Sequence, residues 1–576
     1  MRARSIPAII FFCLFVIILR LWFWQVFMSS ELIAKAQSQR ESTQTITADR
    51  GLVYFSDGTL LASVEPKFSL FAQPKIIKDK SLVAKKLAII LWDSLKHSPD
   101  LKEDEAKLQK LDIEEKLLDR LSKDLFWVSL GWKVSLETKL KVDNEKIFGV
   151  GADTILTRFY PEGSSSAHIL GFVGANAYGD ETGYFGIEGF YNGELKGKNG
   201  SLLQDRDAQG QPILIGTYKV KQAKSGKTLN LNIDRVIQHV VEEKLKLGIQ
   251  KFGAKGASAI VMDPNTGGIL ALASYPNYDP ADVGSFPAEF FKNPITVDGY
   301  EPGSTFKVLV MAAAINEGLV TPETICDTCS GPVDIGGYTI RTWNNQYEPN
   351  SDMSHVIVHS DNTGMVFVAK KLGLDKMYSY IQDYGFGNLT GVDLQDENST
   401  DIRAKKDWHE IDLATASFGQ GISVTAMQVV RAVSAIANGG NIMEPHIVGS
   451  IKDDDTITLI KPKIVKQVIK PEAAKLVTQM MVRAVDEGEA KFFKPKGFSI
   501  AGKTGTAQIP VAGHYDPNKT IASFVGFAPA DKPRFVMLVR YDQPSASIYG
   551  AETAAPTFFE IAKEIFTHFQ ITPTEK

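Results

Sequence analysis

The stretch from Ile6 to Met28, IPAIIFFCLFVIILRLWFWQVFM, leaves a chain few choices, because it runs almost without polar residues. As a helix it reaches roughly 35 Å, enough to cross the hydrocarbon of a bilayer. Arg20 sits toward the far end of the run, where its stem can snorkel beside the interfacial aromatics Trp22 and Trp24. Arg2 and Arg4 precede it. The reading is therefore a single-pass anchor over residues 1–30, with a cytoplasmic N-terminus and everything after Ser29 outside the cell. A cleaved signal peptide is the rival, with an Ala34-x-Ala36 site, but the run is longer than a signal core and that site lies well past its end.

The 576 residues have room for two to four domains, each with its own core. A formal net charge of -4 provides no basic excess, so nucleic acid is set aside as a partner. Of the three cysteines, Cys13 lies in the apolar run and Cys326 and Cys329 form a CxxC. No second Cys or His pair stands at ligand spacing, so no metal site is expected. The pair reads as a local disulfide or two free thiols in a surface loop, structural or incidental in preference to redox-active.

After the anchor, residues 31–50 are polar and read as a helix or an extended stem. GLVYFSDGTLLASV follows, with Asp57-Gly58 as a hairpin signal. Between Ser81 and Lys146 the leucines of EAKLQKLDIEEKLLDRLSKDL recur at three and four residues, the pattern of amphipathic helices. Glycine is dense from Thr157 to Thr217 and predicts turns, with no phosphate-loop form. The main boundary is expected near residue 235, separating a β-rich segment (31–235) from a second unit (236–576). That unit opens with the hairpin ASAIVMDPNTGGILALAS and closes with the strand candidates FSIAGKTGTAQ, TIASFVGFAP and RFVMLVRYD. Helices fill the interval, and the last one, APTFFEIAKEIFTHF, carries an apolar stripe able to cover a sheet. Terminal strands in one antiparallel sheet around a helical insert give an α+β fold.

The chemistry concentrates in YEPGSTFKVLVMAAA. On a helix, residues i and i+3 share a face, so Lys307 can stand beside the hydroxyl of Ser304. A neutral amine there could take the serine proton, and burial or nearby cations would lower the lysine pKa enough to permit it. The plain alternative is a capping serine and a snorkelling lysine. HSDNTG places Ser360, Asp361 and Asn362 at another helix start, where a hydroxyl and a carboxamide could relay a proton and hold an amide, or simply cap the helix. AGKTGTAQ places Lys503, Thr504, Gly505 and Thr506 on a strand: the lysine could attract a carboxylate, the hydroxyls could bind it, and Gly505 would let a substrate backbone lie close.

Each element alone is weak. In this order outside a membrane, the three are the signature shared by penicillin-binding proteins and class A β-lactamases. The chain resembles a class B penicillin-binding protein over nearly its full length: DRGLVYFSDGTLLA is similar to the segment after the anchor, RFYPEGSSSAHILGFVG and GIEGFYNGEL to the pedestal, and YEPGSTFK, SFGQGISVTAMQ and ASFVGFAPAD to the catalytic domain. Gly550 and Ala551 stand where the family often has two glycines.

The resemblance implies an elongated β-rich pedestal of the dimerisation type, then a transpeptidase domain with an antiparallel sheet flanked by helices and a helical subdomain. It implies a serine D,D-transpeptidase that cross-links peptidoglycan stem peptides ending in D-Ala-D-Ala. Ser304 would be the nucleophile and Lys307 its base; Ser360 and Asn362 would aid proton transfer and binding. Lys503, Thr504 and Thr506 would hold the terminal carboxylate, and the N–H groups of Ser304 and Thr506 would form an oxyanion hole. β-Lactams would acylate Ser304, and no cofactor is needed. Partners would be a polytopic membrane glycosyltransferase and other division proteins. IGGYTIRTWNN is more similar to the division type, with a side-wall transpeptidase or a D,D-carboxypeptidase as alternatives. The long arm argues against a soluble β-lactamase, and no segment has room for a class A glycosyltransferase. A non-catalytic division scaffold is the remaining, lesser alternative.

Overall fold

The computed structural model describes residues 5–95, 102–207, 213, 218–511 and 514–573. Two compact units emerge, Met1–Gly51 with Glu194–Gly226, and Leu52–Gly193 with Lys227–Lys576.

In the first unit the helix Ser5–Trp22 continues through a π-helical turn, Phe23–Phe27. Together they form one span, Ile6–Phe27, long and apolar enough to cross a membrane. The Arg20 guanidinium lies 5.3 Å from the Trp24 ring centroid, so the one cation in the span has an aromatic face to rest on. The polar stretch that follows is a helix, Ser29–Arg40, and then a strand, Glu41–Ile46. That strand pairs antiparallel with Gly200–Asp205, which pairs in turn with Tyr218–Lys221.

The second unit opens on the hairpin expected at Asp57-Gly58: Phe55 N–H donates to Thr59 O, and the Asp57 carboxylate accepts from Thr59 N–H at 2.8 Å. The turn joins Val53–Tyr54 to the long strand Leu60–Ala72. The leucine-spaced helices are Lys80–Asp93 and Glu103–Ser122. They bury Leu87, Leu91, Leu117 and Leu121 completely, against Leu70 and Ala72 of the long strand. The helical pattern read over 81–146 is broken by a strand, Val128–Val134, paired with Phe68–Ala72. Helical periodicity on both sides hid it, because a seven-residue strand has no local signal as strong as its distant partner. The sheet containing these strands has seven members, and Val448–Asp453 and Thr456–Leu459 join its far edge through Thr228–Leu231.

A five-stranded antiparallel sheet forms the second core. Its strands are β1 (Gly256–Met262), β2 (Ile269–Tyr275), β3 (Ala501–Val511), β4 (His514–Ala528) and β5 (Phe535–Asp542). Their order in space is β2-β1-β5-β4-β3, so the ends of the sequence segment meet in the middle and β3 lies at an edge. All of β1 and all of β5 but Asp542 are buried, which explains their unbroken apolar runs. Helices α1 (Arg235–Phe252) and α6 (Ala554–His568) cover one face. Phe558, Ile561, Ile565 and Phe566 of α6 are at most 2% exposed, each contributing roughly 1.5–3 kcal/mol of burial. The insert supplies α2 (Lys307–Asn316), α3 (Met353–Val358), α4 (Asn362–Asp383, broken at Gly373) and α5 (Pro471–Asp486).

Candidate active site

The chain reaches Ser304 through a reversal only glycine takes easily. Gly303 has φ +54°, its N–H donates to Gly419 O at 3.0 Å, and a Cβ there would lie 3.1 Å from Thr506 O. One 3-10 turn, Gly303–Phe306, then feeds α2. Nine of the ten residues of α2 are buried, Lys307 among them. Ser304 is half-buried and faces a cleft of about 350 Å³ that is also lined by Ser360, Asn362, Thr504 and Thr506.

The Lys307 ammonium donates to Ser360 O at 2.6 Å, to Asn362 Oδ1 at 2.8 Å and to Ser360 Oγ at 3.2 Å. The expected hydrogen bond from Lys307 to Ser304 is therefore not formed. The two residues are three apart, but three acceptors on the neighbouring turn saturate the ammonium's three donors. That turn is itself constrained. Ser360 has φ +56°, unusual for a residue with a side chain, and the lysine grips both its carbonyl and its hydroxyl. The helix cap is Asp361, which accepts from Thr363 N–H and Gly364 N–H, so neither Ser360 nor Asn362 is used for capping. Asn362 also donates to Arg341 O at 2.9 Å.

Strand β3 alternates. Thr504 and Thr506 face the cleft, while Lys503 and Gly505 point inward. Lys503 is only 3% exposed and curls back to donate to Thr504 Oγ1 at 3.2 Å and Thr504 O at 3.3 Å. Its charge acts on the cleft from behind the hydroxyls. Thr506 Oγ1 accepts from Gly550 N–H at 3.1 Å, which leaves its own proton to donate. Gly505 has a different reason from the one expected: its open side faces inward, where a Cβ would sit 2.4 Å from Ser523 Oγ and 2.7 Å from Thr305 Cγ2. The glycine brings β3 onto the Ser304 turn. We expect Gly505→Ala to destabilise the protein by about 1–3 kcal/mol, read as a lowered Tm.

Burial pushes the Lys307 amine well below its ordinary pKa, and the positive charge of Lys503 adds to this, against Asp361 and Glu489. Burial also lowers Lys503, to about 8, with Glu489 opposing. The site thus holds two lysines of depressed basicity behind one serine. The two share a residue type and differ in what surrounds each.

Sequence reading missed Glu489, which borders the cleft, and the aromatic pair Trp343 and Tyr549, whose rings meet edge to face at 5.7 Å on its wall. Glu489 sits in DEGEA, which reads as a solvated charge run, and the tryptophan's motif carried only a family likeness. Cys326 and Cys329 form a disulfide in the loop that leads to Trp343.

Residues 257–566 match the family model of the penicillin binding protein transpeptidase domain, and residues 45–231 that of the penicillin-binding protein dimerisation domain. Stage V sporulation protein D of Bacillus subtilis is 32% identical over 559 residues, covering 96% of this chain and 83% of that protein. Peptidoglycan D,D-transpeptidase FtsI of Escherichia coli is 28% identical over 555 residues, covering 96% and 89%. The crystal structure of a peptidoglycan synthetase from Bifidobacterium adolescentis superposes with a TM-score of 0.71 at 25% identity, covering 93% of this chain and 98% of that one.

Proposed function

The chain belongs to the penicillin-binding protein transpeptidase family and is of the class B type, and from that premise we propose how it carries out peptidoglycan D,D-transpeptidation. Ser304 attacks the D-Ala-D-Ala carbonyl of a stem peptide. Lys307, relieved of one proton by burial, receives the hydroxyl proton through a small side-chain movement away from Ser360. Ser360 and Asn362 hold that amine in place and relay the proton to the leaving D-alanine. Thr504 and Thr506 bind the terminal carboxylate, with the Lys503 charge behind them. The N–H groups of Ser304 and Thr506 stabilise the developing oxyanion; edge strand β3 has a side without strand partners among the described residues. An amine on a second stem then takes the acyl group from Ser304.

The observation that supports this most is the buried Lys307 ammonium, which joins the Ser304 helix to the Ser360–Asn362 turn in one cleft with Thr504 and Thr506. The test is to label full-length protein with penicillin and locate the adduct by peptide mass spectrometry. An adduct on any peptide without Ser304 overturns the assignment.

A pH dependence follows from the lysines. Lys503 must keep its proton to attract a carboxylate, so acylation by penicillin should fall as pH rises through about 8. Lys307 must lose its proton, so an acid limb lies well below the ordinary lysine range. In Lys503→Met the rate should be lower throughout and the alkaline limb absent. Stopped-flow acylation across that range checks this, and a limb that survives in the variant assigns it to another group.

We place the pedestal at residues 31–235 and the catalytic domain at 236–576, with the anchor holding both outside the cell. Arg2 and Arg4 before the span support a cytoplasmic N-terminus. The division likeness of IGGYTIRTWNN supports work at the septum with a polytopic glycosyltransferase. Depletion that yields filaments supports this role, and rounded cells would assign the protein to the side wall.

A further inference from the structure

We propose that Glu489 is the acceptor-selecting residue: its carboxylate, on the wall of the subsite that the leaving D-alanine vacates, receives the ammonium of the incoming amine. The inference rests on the D,D-transpeptidase reading of the same cleft.

Glu489 is delivered there by its neighbour. A Cβ on Gly488 would lie 2.3 Å from Ala484 O and 3.2 Å from Val358 O, so the chain leaving α5 lies directly against the end of α3, next to Ser360. Glu489 thereby borders two adjoining places. One is the open cleft with Ser304, Ser360 and Thr504; the other is the small cavity behind it with Lys503. Its side chain is open to the cleft, and among the described residues its carboxylate accepts no hydrogen bond and forms no ion pair. Packing around the carboxylate raises its pKa, while Lys503 and Lys307 draw it down. The cleft therefore contains a carboxylate that no protein group holds by a hydrogen bond or ion pair among the described residues.

The chemistry of transfer needs such a group. By microscopic reversibility the acceptor enters where D-alanine left, beside Thr504 and Thr506. That subsite is built for an anion, with Lys503 and Lys307 behind it and Arg341 also on the cleft wall. An ammonium entering it meets repulsion from Lys503 and Arg341, and Glu489 is the bordering carboxylate that offsets them. As the ammonium docks, it gives one proton to the Glu489 carboxylate, which returns it to solvent. The amine nitrogen then forms its bond to the acyl carbon, the ester bond to Ser304 breaks, and the second nitrogen proton returns through Lys307 to the serine oxygen. Water, being neutral, gains nothing from Glu489.

The test uses full-length protein in detergent, a diacyl-Lys-D-Ala-D-Ala donor and glycine, an amine acceptor, with methanol as a neutral acceptor. For Glu489→Gln the ratio of glycine transfer to hydrolysis should fall about fivefold through a raised acceptor KM, and Glu489→Asp should recover part of it. The ratio of methanol transfer to hydrolysis should stay at the wild-type value. An unchanged glycine ratio, or an equal fall with methanol, overturns the proposal while leaving the transpeptidase reading intact. Absence of a penicillin adduct on the wild-type protein overturns both.

Discussion

Ser304→Ala should take no penicillin label, and its cross-linking activity should fall about 10⁶-fold, to the level left by binding alone. The size follows from the chemistry: without the hydroxyl no acyl-enzyme can form, and no neighbouring group can substitute. Ser360 is the other hydroxyl in the cleft near the lysine, but its Oγ is already held by Lys307 on a turn with φ +56°. The substitution should leave the fold alone, since the Ser304 hydroxyl makes no hydrogen bond among the described residues. Its effect on unfolding should stay within about 0.5 kcal/mol. Gel fluorescence with labelled penicillin and a thermal melt decide the matter together. A labelled alanine variant with a normal melt would mean that the nucleophile lies elsewhere.

Lys307→Met should slow acylation by about 10²- to 10⁴-fold, the range over which a positioned base acts. The variant removes a buried cation, which is favourable, and strands three acceptors, which is costly: Ser360 O, Ser360 Oγ and Asn362 Oδ1. These effects oppose each other, and the net change in stability should stay within about 3 kcal/mol. The acylation rate of folded variant, measured by stopped flow, separates chemistry from folding. A rate within tenfold of wild type would pass the role of base to another group and leave Lys307 a structural strut. The expected loss is larger than that of Lys503→Met, because in the proposed mechanism Lys503 acts through Thr504 and its field, whereas Lys307 carries the proton.

Much of this arrangement is legible in the sequence alone. The bilayer-length span follows from apolar composition alone, since a helix has a fixed rise and a bilayer a fixed thickness. The two interior strands β1 and β5 of the five-stranded sheet are visible as apolar runs, because they are buried on both faces. The strand Val128–Val134 is not, and neither is the joining of Val448–Asp453 to a sheet begun at Val53–Tyr54. Pairing between distant segments leaves little trace in either segment by itself.

The site divides along the same line. Local spacing alone put Ser304 and Lys307 on one helical face, Ser360 and Asn362 on one turn, and Thr504 and Thr506 on one side of a strand, because helix and strand periods are properties of the backbone. Only the tertiary structure decided whom Lys307 binds, that Lys503 stands behind Thr504 instead of in the cleft, that Gly505 makes room for Ser523 and Thr305, and that Glu489 belongs to the site at all. Those outcomes depend on burial, field and hydrogen-bond competition among groups far apart in the chain, and such energies exist only once the segments have been brought together.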